Sequence, residues 1–177
     1  MANLARELRE LLGNDAVADD PETLKQHSGD KWFAAEAPEA VVFATSTSEV
    51  SQLLKFASQH RVPVTARGAG YGYVGGCVPS HRGIALSLRK MDRIKEIHFE
   101  DAVAIVEPGV ITSDLKSAAR SKKLFYPPDP ASMDDCSIGG NIATNAGGPR
   151  CLKYGVTRHY VLGLEVVLPN GDVLRLG

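Results

Sequence analysis

Hydrophobic residues recur at two spacings along this chain, and the spacings predict short strands interleaved with helices. Near the N-terminus, Leu4, Leu8 and Leu11 fall on one face of a helix that ends at Gly13. Residues 15–37 show no comparable period and carry the only tryptophan, Trp32. We therefore expect an amphipathic first helix followed by an irregular lead-in over residues 15–37.

A regular alternation begins at Pro38. An apolar run over residues 41–43 precedes Ser46 and Glu49, which are spaced as in a capping box at a helix N-terminus. A second apolar run, residues 62–66, follows that helix. Strand, helix and strand in this order favour a parallel βαβ unit.

The remaining chain predicts five more strands and another helix. Thr112 is placed to cap the helix, whose apolar residues Leu115 and Ala119 share a face. Asn170 and Gly171 give a strong hairpin signal between the last two strands. The predicted strands are residues 84–88, 94–99, 102–106, 164–168 and 173–176.

Composition and charge exclude several classes of protein. The chain has 177 residues, 44% of them hydrophobic and 23% charged, as in an ordinary globular protein. Its net charge of −1 includes no basic block, so a nucleic-acid partner is not expected. Cys77, Cys136 and Cys151 are widely spaced, which predicts neither a disulfide framework nor a metal site and fits a cytoplasmic protein. No apolar run is long enough for a transmembrane segment, and the N-terminus does not resemble a secretory signal.

A glycine-rich loop follows the second strand of the βαβ region. This glycine loop, residues 67–76, reads RGAGYGYVGG, and Gly70, Gly72 and Gly75 match the GxGxxG spacing of a dinucleotide-binding Rossmann turn. A Rossmann turn must open a helix at the third glycine, but here Pro79 and Gly83 lead directly to a strand. A nicotinamide-binding Rossmann domain is therefore the weakest of the readings considered.

The local physics of the loop still points to an anion. Closely spaced glycines allow positive φ values and turn successive N–H groups inward as an anion-binding nest, for which a diphosphate is the natural guest. Arg67 has two possible roles, a charge-assisted contact with the ligand or support of the loop through backbone carbonyls. An ordinary tight loop between strands is the competing interpretation.

A second glycine-rich segment lies further along the chain. This second glycine segment, residues 134–149, reads DDCSIGGNIATNAGGP and follows the run FYPPDPAS at residues 125–132. Glycine alternates there with short hydroxyl and amide side chains, and bulky residues are almost absent. Such a surface suits a large flat ligand rich in donors and acceptors, such as the isoalloxazine and ribityl parts of a flavin.

These motifs together resemble the FAD-linked oxidases of the vanillyl-alcohol oxidase (PCMH-type) superfamily, in the branch of the glycolate oxidase FAD subunit and D-lactate dehydrogenases. The resemblance runs from about Pro38 to the last residue. It implies an α+β fold of two lobes with FAD extended between them, the lobes covering residues 38–109 and 110–177, after an N-terminal helix and lead-in over residues 1–37. It also implies an enzyme that oxidises a small 2-hydroxy acid, such as D-lactate or glycolate, to the 2-oxo acid.

The resemblance also implies which residues bind the cofactor. The glycine loop would hold the diphosphate through its backbone, Ser132 would touch the diphosphate or ribityl region, and the second glycine segment would follow the ribityl chain and flavin, with Cys136 nearby. The full set of expected FAD-binding residues is Arg67, Gly68, Ala69, Gly70, Tyr71, Gly72, Gly75, Gly76, Pro130, Ser132, Cys136, Ser137, Gly140, Asn141, Thr144, Asn145 and Gly148.

Departures from the family pattern qualify this expectation. Relatives commonly carry small hydroxyl residues where Tyr71 and Val74 stand, so this loop is bulkier. No histidine occurs between His60 and His81, which argues against covalent attachment of FAD in the loop. The family's catalytic residues lie in a C-terminal cap domain that these residues do not supply, so we expect an N-terminal cofactor-binding part with an incomplete second lobe and possible self-association or a partner subunit. The alternative is a cap-less FAD-binding subunit of a hetero-oligomeric electron-transfer complex.

Overall fold

A four-stranded sheet in the order β1-β2-β4-β3 organises the first half of the molecule. The structure is a computed structural model and describes residues 2–177. Strand β4 (Ile84–Ser87) pairs in parallel with both β2 (Ala40–Phe43) and β3 (Val64–Arg67), while β1 (Val17–Ala18) runs antiparallel to β2. The predicted parallel arrangement is confirmed, although β2 and β3 are separated by β4.

The helix between β2 and β3 begins as its sequence predicts. Helix α3 (Thr47–His60) is capped by Ser46, whose Oγ accepts a hydrogen bond from the Glu49 backbone N–H at 3.2 Å. The Glu49 carboxylate turns back to the backbone N–H of Thr45 at 2.8 Å, one residue before the cap. Leu53 and Ala57 then bury one face of the helix against the sheet.

Strands β3 and β4 are parallel neighbours that no helix connects. Parallel neighbours usually need a crossover helix, but residues 68–83 between them contain neither helix nor strand. The glycine loop and the turn after it are therefore the crossover connection. This geometry confirms that the GxGxxG match does not belong to a Rossmann turn.

The lead-in and the second half contain elements that the periodicity did not predict. Helix α1 (Ala2–Leu12) ends at Gly13 as expected, but helix α2 (Pro21–Gln26) lies inside the supposedly irregular lead-in. Helix α4 (Thr112–Ser121) is preceded by Ile111 at its N-cap, so the expectation that Thr112 caps it is wrong. The other elements are β5 (Ile94–His98), β6 (Val103–Val106), α5 (Ile138–Thr144), α6 (Cys151–Tyr154), β7 (Leu164–Val167) and β8 (Val173–Leu176).

Two hydrophobic cores of unequal size support these elements. The larger lies between α1, α3 and the sheet and includes the fully buried Leu8, Leu53 and Ile84. The smaller contains Val110, Leu115 and Ile138, buried between α4, α5 and the hairpin β5–β6. The hairpin β7–β8 docks on α3, since the Thr47 hydroxyl donates to Glu165 and the Ser51 hydroxyl donates to the Gly171 carbonyl, both at 2.6 Å.

Candidate cofactor site

The backbone of the glycine loop presents a continuous row of donors. Among the described residues, no backbone N–H from position 68 to position 76 donates a hydrogen bond to another backbone or side-chain atom. Gly70 and Gly75 adopt φ values of 78° and 72°, which residues with a Cβ rarely tolerate. The loop thus combines unpaired N–H groups with the backbone turns that an anion-binding nest requires.

The Arg67 side chain, at the start of the glycine loop, makes hydrogen bonds to three other residues. Its guanidinium donates to the backbone carbonyl of Gly29, to that of Gln26 at 3.3 Å and to Cys77 Sγ at 3.3 Å. Arg67 is thus bonded to backbone carbonyls, which is one of the two roles that the sequence left open. These bonds join Arg67 to the lead-in and to Cys77, the first residue after the glycine loop.

The lead-in packs directly against the glycine loop, a contact that no sequence pattern predicts. The backbone N–H of Lys31 donates to the Gly72 carbonyl at 2.9 Å, and the Lys31 ammonium lies 4.5 Å from the centre of the Tyr71 ring. A Cβ on Gly75 would lie 2.7 Å from the Trp32 ring. A cavity of about 340 Å³ opens between the lead-in and the loop.

The second glycine segment meets the glycine loop at Gly68. A Cβ on Gly68 would lie only 2.5 Å from Ser137 Oγ, so the close approach requires glycine there. Ser137 is the N-cap of α5, and its hydroxyl oxygen accepts the Gly140 backbone N–H at 3.3 Å. The two motifs that are distant in sequence therefore form one continuous surface.

Two expected cofactor ligands in this segment, Asn141 and Cys136, are committed to internal contacts with Thr112 of α4. The Asn141 side-chain amide donates to Thr112 Oγ1 at 2.6 Å, and that hydroxyl donates to the Cys136 carbonyl at 3.1 Å. Asn141, Thr112 and Cys136 are all buried. This network fixes α5 against α4, and it explains why Thr112 does not cap its helix.

The exposed residues of the segment also bond within the chain. Thr144 donates through its hydroxyl to the Gly140 carbonyl at 2.9 Å, and Asn145 Oδ1 accepts the Arg158 backbone N–H at 3.0 Å. The Ala146 N–H donates to the Asn141 carbonyl, and the Gly148 N–H donates to Cys151 Sγ. The second glycine segment therefore presents few unpaired backbone donors, in contrast to the glycine loop.

The FYPPDPAS run forms the support beneath Gly148. A Cβ on Gly148 would collide with the Asp129 carbonyl. The Asp129 carboxylate pairs with Lys116 and with Arg150 Nε at 3.2 Å. Pro130 is buried, and the Ser132 carbonyl accepts the Cys136 backbone N–H at 2.8 Å, which joins this run to the second glycine segment.

Charges and burial shift the titration of several groups at the site. The hydrogen bond from Lys116 lowers the pKa of Asp129, so this carboxylate stays ionised. The Asp135 carboxylate raises the pKa of Tyr71, and burial raises the pKa of Tyr126 to about 12. Burial also raises the pKa of the Cys77 thiol. Both phenols and this thiol are therefore neutral at pH 7.

The donor set fits FAD better than a metal ion. Phosphate oxygens accept hydrogen bonds, and the glycine loop supplies consecutive backbone N–H donors that make no hydrogen bond within the described chain. Within residues 2–177, no group of three His, Cys, Asp or Glu side chains is arranged to hold a metal ion. No described helix is both long enough and apolar enough to span a bilayer.

Comparison with known proteins gives consistent matches. The sequence model described as "FAD binding domain" matches residues 38–177. The chain is 53% identical over 140 residues to the Glycolate oxidase subunit GlcD of Bacillus subtilis, which covers 79% of this chain and 30% of that protein. It is 45% identical over 145 residues to a D-lactate dehydrogenase of Anaerostipes hadrus, covering 82% of this chain and 30% of that protein.

Solved structures share the fold. The structure of p-cresol methylhydroxylase superimposes with a TM-score of 0.83 and 29% identity, covering 98% of this chain and 35% of that chain. The present chain thus spans about a third of the length of the proteins that it matches.

Proposed function

The chain belongs to the FAD binding domain family, whose model matches residues 38–177, and from this premise we propose that it holds FAD non-covalently between the glycine loop and the second glycine segment. We further propose that the enzyme formed with it oxidises a small 2-hydroxy acid to the 2-oxo acid. When bound, FAD supplies the acceptor for the hydride that leaves C2 of such an acid. The residues of this chain bind and orient the cofactor.

The observation that carries the proposal is the row of unpaired N–H groups over residues 68–76, which begins at Gly68 against the second glycine segment. These donors would bind the diphosphate, since a glycine-rich turn brings backbone N–H groups close to phosphate oxygens. The side chains of Ser137, Asn141 and Thr144 make internal bonds: Asn141 fastens α5 to Thr112 of α4, and the other two bond within α5. Their contribution to FAD binding is then mainly to position the backbone.

The substrate class rests on the named relatives. Glycolate and D-lactate, which appear in the names of the two relatives, are both 2-hydroxy acids. The Bacillus protein is named as a subunit, which supports a partner subunit for this chain as well. The alternative of an electron-transfer module without catalysis is not favoured, because these relatives are named as an oxidase subunit and a dehydrogenase.

Titration of the purified chain with FAD, followed by flavin fluorescence, tests the proposal. We expect saturable binding of one FAD that is fully released on acid denaturation, with ADP competing and riboflavin binding more weakly because it lacks the diphosphate. Gly68→Ala should weaken FAD binding, since the new Cβ meets Ser137. Gly76→Ala should weaken it less, because the space around its Cβ is open. Binding of NADH without FAD, or equal affinity for FAD and riboflavin, would contradict the proposal.

A further inference from the structure

We propose that Arg67 and lead-in residues 29–32 form a clamp that positions the glycine loop for the cofactor, with Arg67 acting as a positioning residue that does not itself touch the diphosphate. This inference rests on the proposed function, because the loop that the clamp holds is the proposed diphosphate site. It adds residues that lie outside the family match, which begins at residue 38.

The clamp is joined to the loop by contacts at three successive points. Arg67, at the start of the loop, is bonded to the carbonyls of Gly29 and Gln26. The middle of the loop is held by the bond from Lys31 N–H to the Gly72 carbonyl at 2.9 Å. Near its end, Gly75 packs on the Trp32 ring, 2.7 Å from the position of a Cβ.

Arg67 is suited to this position because of the geometry of its guanidinium group. The planar guanidinium offers several N–H donors in a fixed fork, which here serve two carbonyls and a sulfur atom simultaneously. A lysine ammonium keeps the charge but cannot reproduce this fork. Lysine therefore separates a positioning role, which needs the geometry, from a direct contact with phosphate, which needs mainly the charge.

The clamp has a thermodynamic purpose. The N–H groups over residues 68–76 make no hydrogen bonds within the described chain. No internal hydrogen bond of the loop therefore fixes their directions. A loop held from outside loses less conformational freedom when a ligand binds, and its affinity is correspondingly higher. We therefore expect loosening of the clamp to weaken FAD binding without removing any contact to FAD.

The test compares Arg67→Lys and Arg67→Gln with the matched pair Arg120→Lys and Arg120→Gln, since Arg120 is an exposed residue in the last turn of α4. We expect both Arg67 variants to raise the Kd for FAD by about tenfold or more, as the loss of charge-assisted hydrogen bonds implies. The salt dependence of the Kd should keep its wild-type slope. The Arg120 variants should bind like the wild type.

A second measurement does not need the cofactor. Hydrogen exchange of the Lys31 amide in FAD-free protein reports whether the clamp is closed, because this amide bonds to the Gly72 carbonyl. It should exchange faster in both Arg67 variants, while the Leu88 amide, which bonds to the Arg67 carbonyl from the end of β4, should not change. If wild-type protein binds no FAD, the proposed function fails, and the Lys31 amide still decides whether Arg67 closes the clamp.

Two results would overturn the inference. The first is an Arg67→Lys variant that binds FAD like the wild type while Arg67→Gln does not, which would indicate a direct charge contact. The second is an unchanged Lys31 amide in both variants. Should the Arg67 variants not fold, Trp32→Ala is compared with Phe99→Ala, both being partly exposed aromatic residues. Only Trp32→Ala should raise the Kd for FAD, by several-fold. Equal Kd values for the two variants would refute the clamp.

Discussion

At the scale of single residues, the glycines of the site differ in how much room the structure leaves for a side chain. Gly148 has no room for a side chain, because a Cβ would collide with the Asp129 carbonyl, whereas Gly76 has open space around the corresponding position. We expect Gly148→Ala to lower the free energy of unfolding by about 3 kcal/mol, near the upper end for overpacked sites. Gly76→Ala should change it by less than about 0.5 kcal/mol. Urea unfolding of the two variants checks this, and equal stabilities would contradict it.

Glu107 makes the stability of the hairpin β5–β6 depend on pH. Its carboxylate is 3% exposed and accepts hydrogen bonds from Arg93 Nη2 at 2.8 Å and from the Arg93 backbone N–H at 2.9 Å. The Arg93 side chain is the main reason that the pKa of Glu107 is lowered. Because the pKa is lower in the folded state, the stabilisation is complete above the unfolded value of about 4.3 and is lost as the pH falls through the folded value.

Replacement of Glu107 by glutamine tests this dependence. Glu107→Gln should lower the free energy of unfolding by about 1–3 kcal/mol at pH 7, the usual cost of losing a hydrogen bond to a charged group. The difference from wild type should shrink as the pH falls below about 4, where the wild-type carboxylate is protonated. Glu100→Gln, in the exposed turn of the same hairpin, is the control. A difference that does not vary with pH would show that the charge of Glu107 contributes nothing.

At the scale of secondary structure elements, helix α3 depends on the cap that its sequence predicts. Ser46 Oγ is the acceptor for the Glu49 N–H at the first turn. Ser46→Ala should therefore lower the free energy of unfolding by about 1 kcal/mol. Ser58→Ala, in the exposed last turn of the same helix, removes a hydroxyl without removing a cap. Chemical denaturation of both variants checks the prediction, which fails if they are equally stable.

The elements that the sequence predicted are those with a strong local signal. Helix α3 and the strands β2, β3 and β4 have regular periodicity, whereas β1, with two residues inside the lead-in, was not predicted. Helix α2 was missed although Asp20 accepts the Thr23 N–H at 2.9 Å and Pro21 occupies the first helical position, because the helix buries no residue and so has no apolar stripe. Helix α5 was missed because Gly139 and Gly140 have low helix propensity.

The candidate site shows the same division between local and distant information. The glycine loop could be recognised from its own spacing, since positive φ and unpaired N–H groups are properties of a short segment. The bonds from Arg67 to Gly29 and from Asn141 to Thr112 join residues far apart in the chain. Only the packing of the lead-in and of α4 determines these partners, so no local pattern could predict them.

At the scale of the whole molecule, the unequal cores predict unequal local stability. The smaller core contains three buried apolar residues, Val110, Leu115 and Ile138, whereas the larger draws on α1, α3 and the sheet. Regions with few buried apolar contacts open locally at lower free energy. Amides of α5 should therefore exchange with solvent faster than those of β4 in the FAD-free chain.

Binding of FAD should reduce this difference in amide exchange between α5 and β4. The reason is that the proposed site lies where Gly68 of the first half meets Ser137 of the second. Opening of α5 destroys that site, so FAD at one hundred times its Kd should slow exchange of the α5 amides by about 100-fold, equivalent to about 2.7 kcal/mol. Fraying of α1 leaves the site intact, and its terminal amides should exchange at an unchanged rate. Mass spectrometry or NMR with and without FAD measures both. Unchanged exchange in α5 at saturating FAD would show that the second glycine segment takes no part in holding the cofactor.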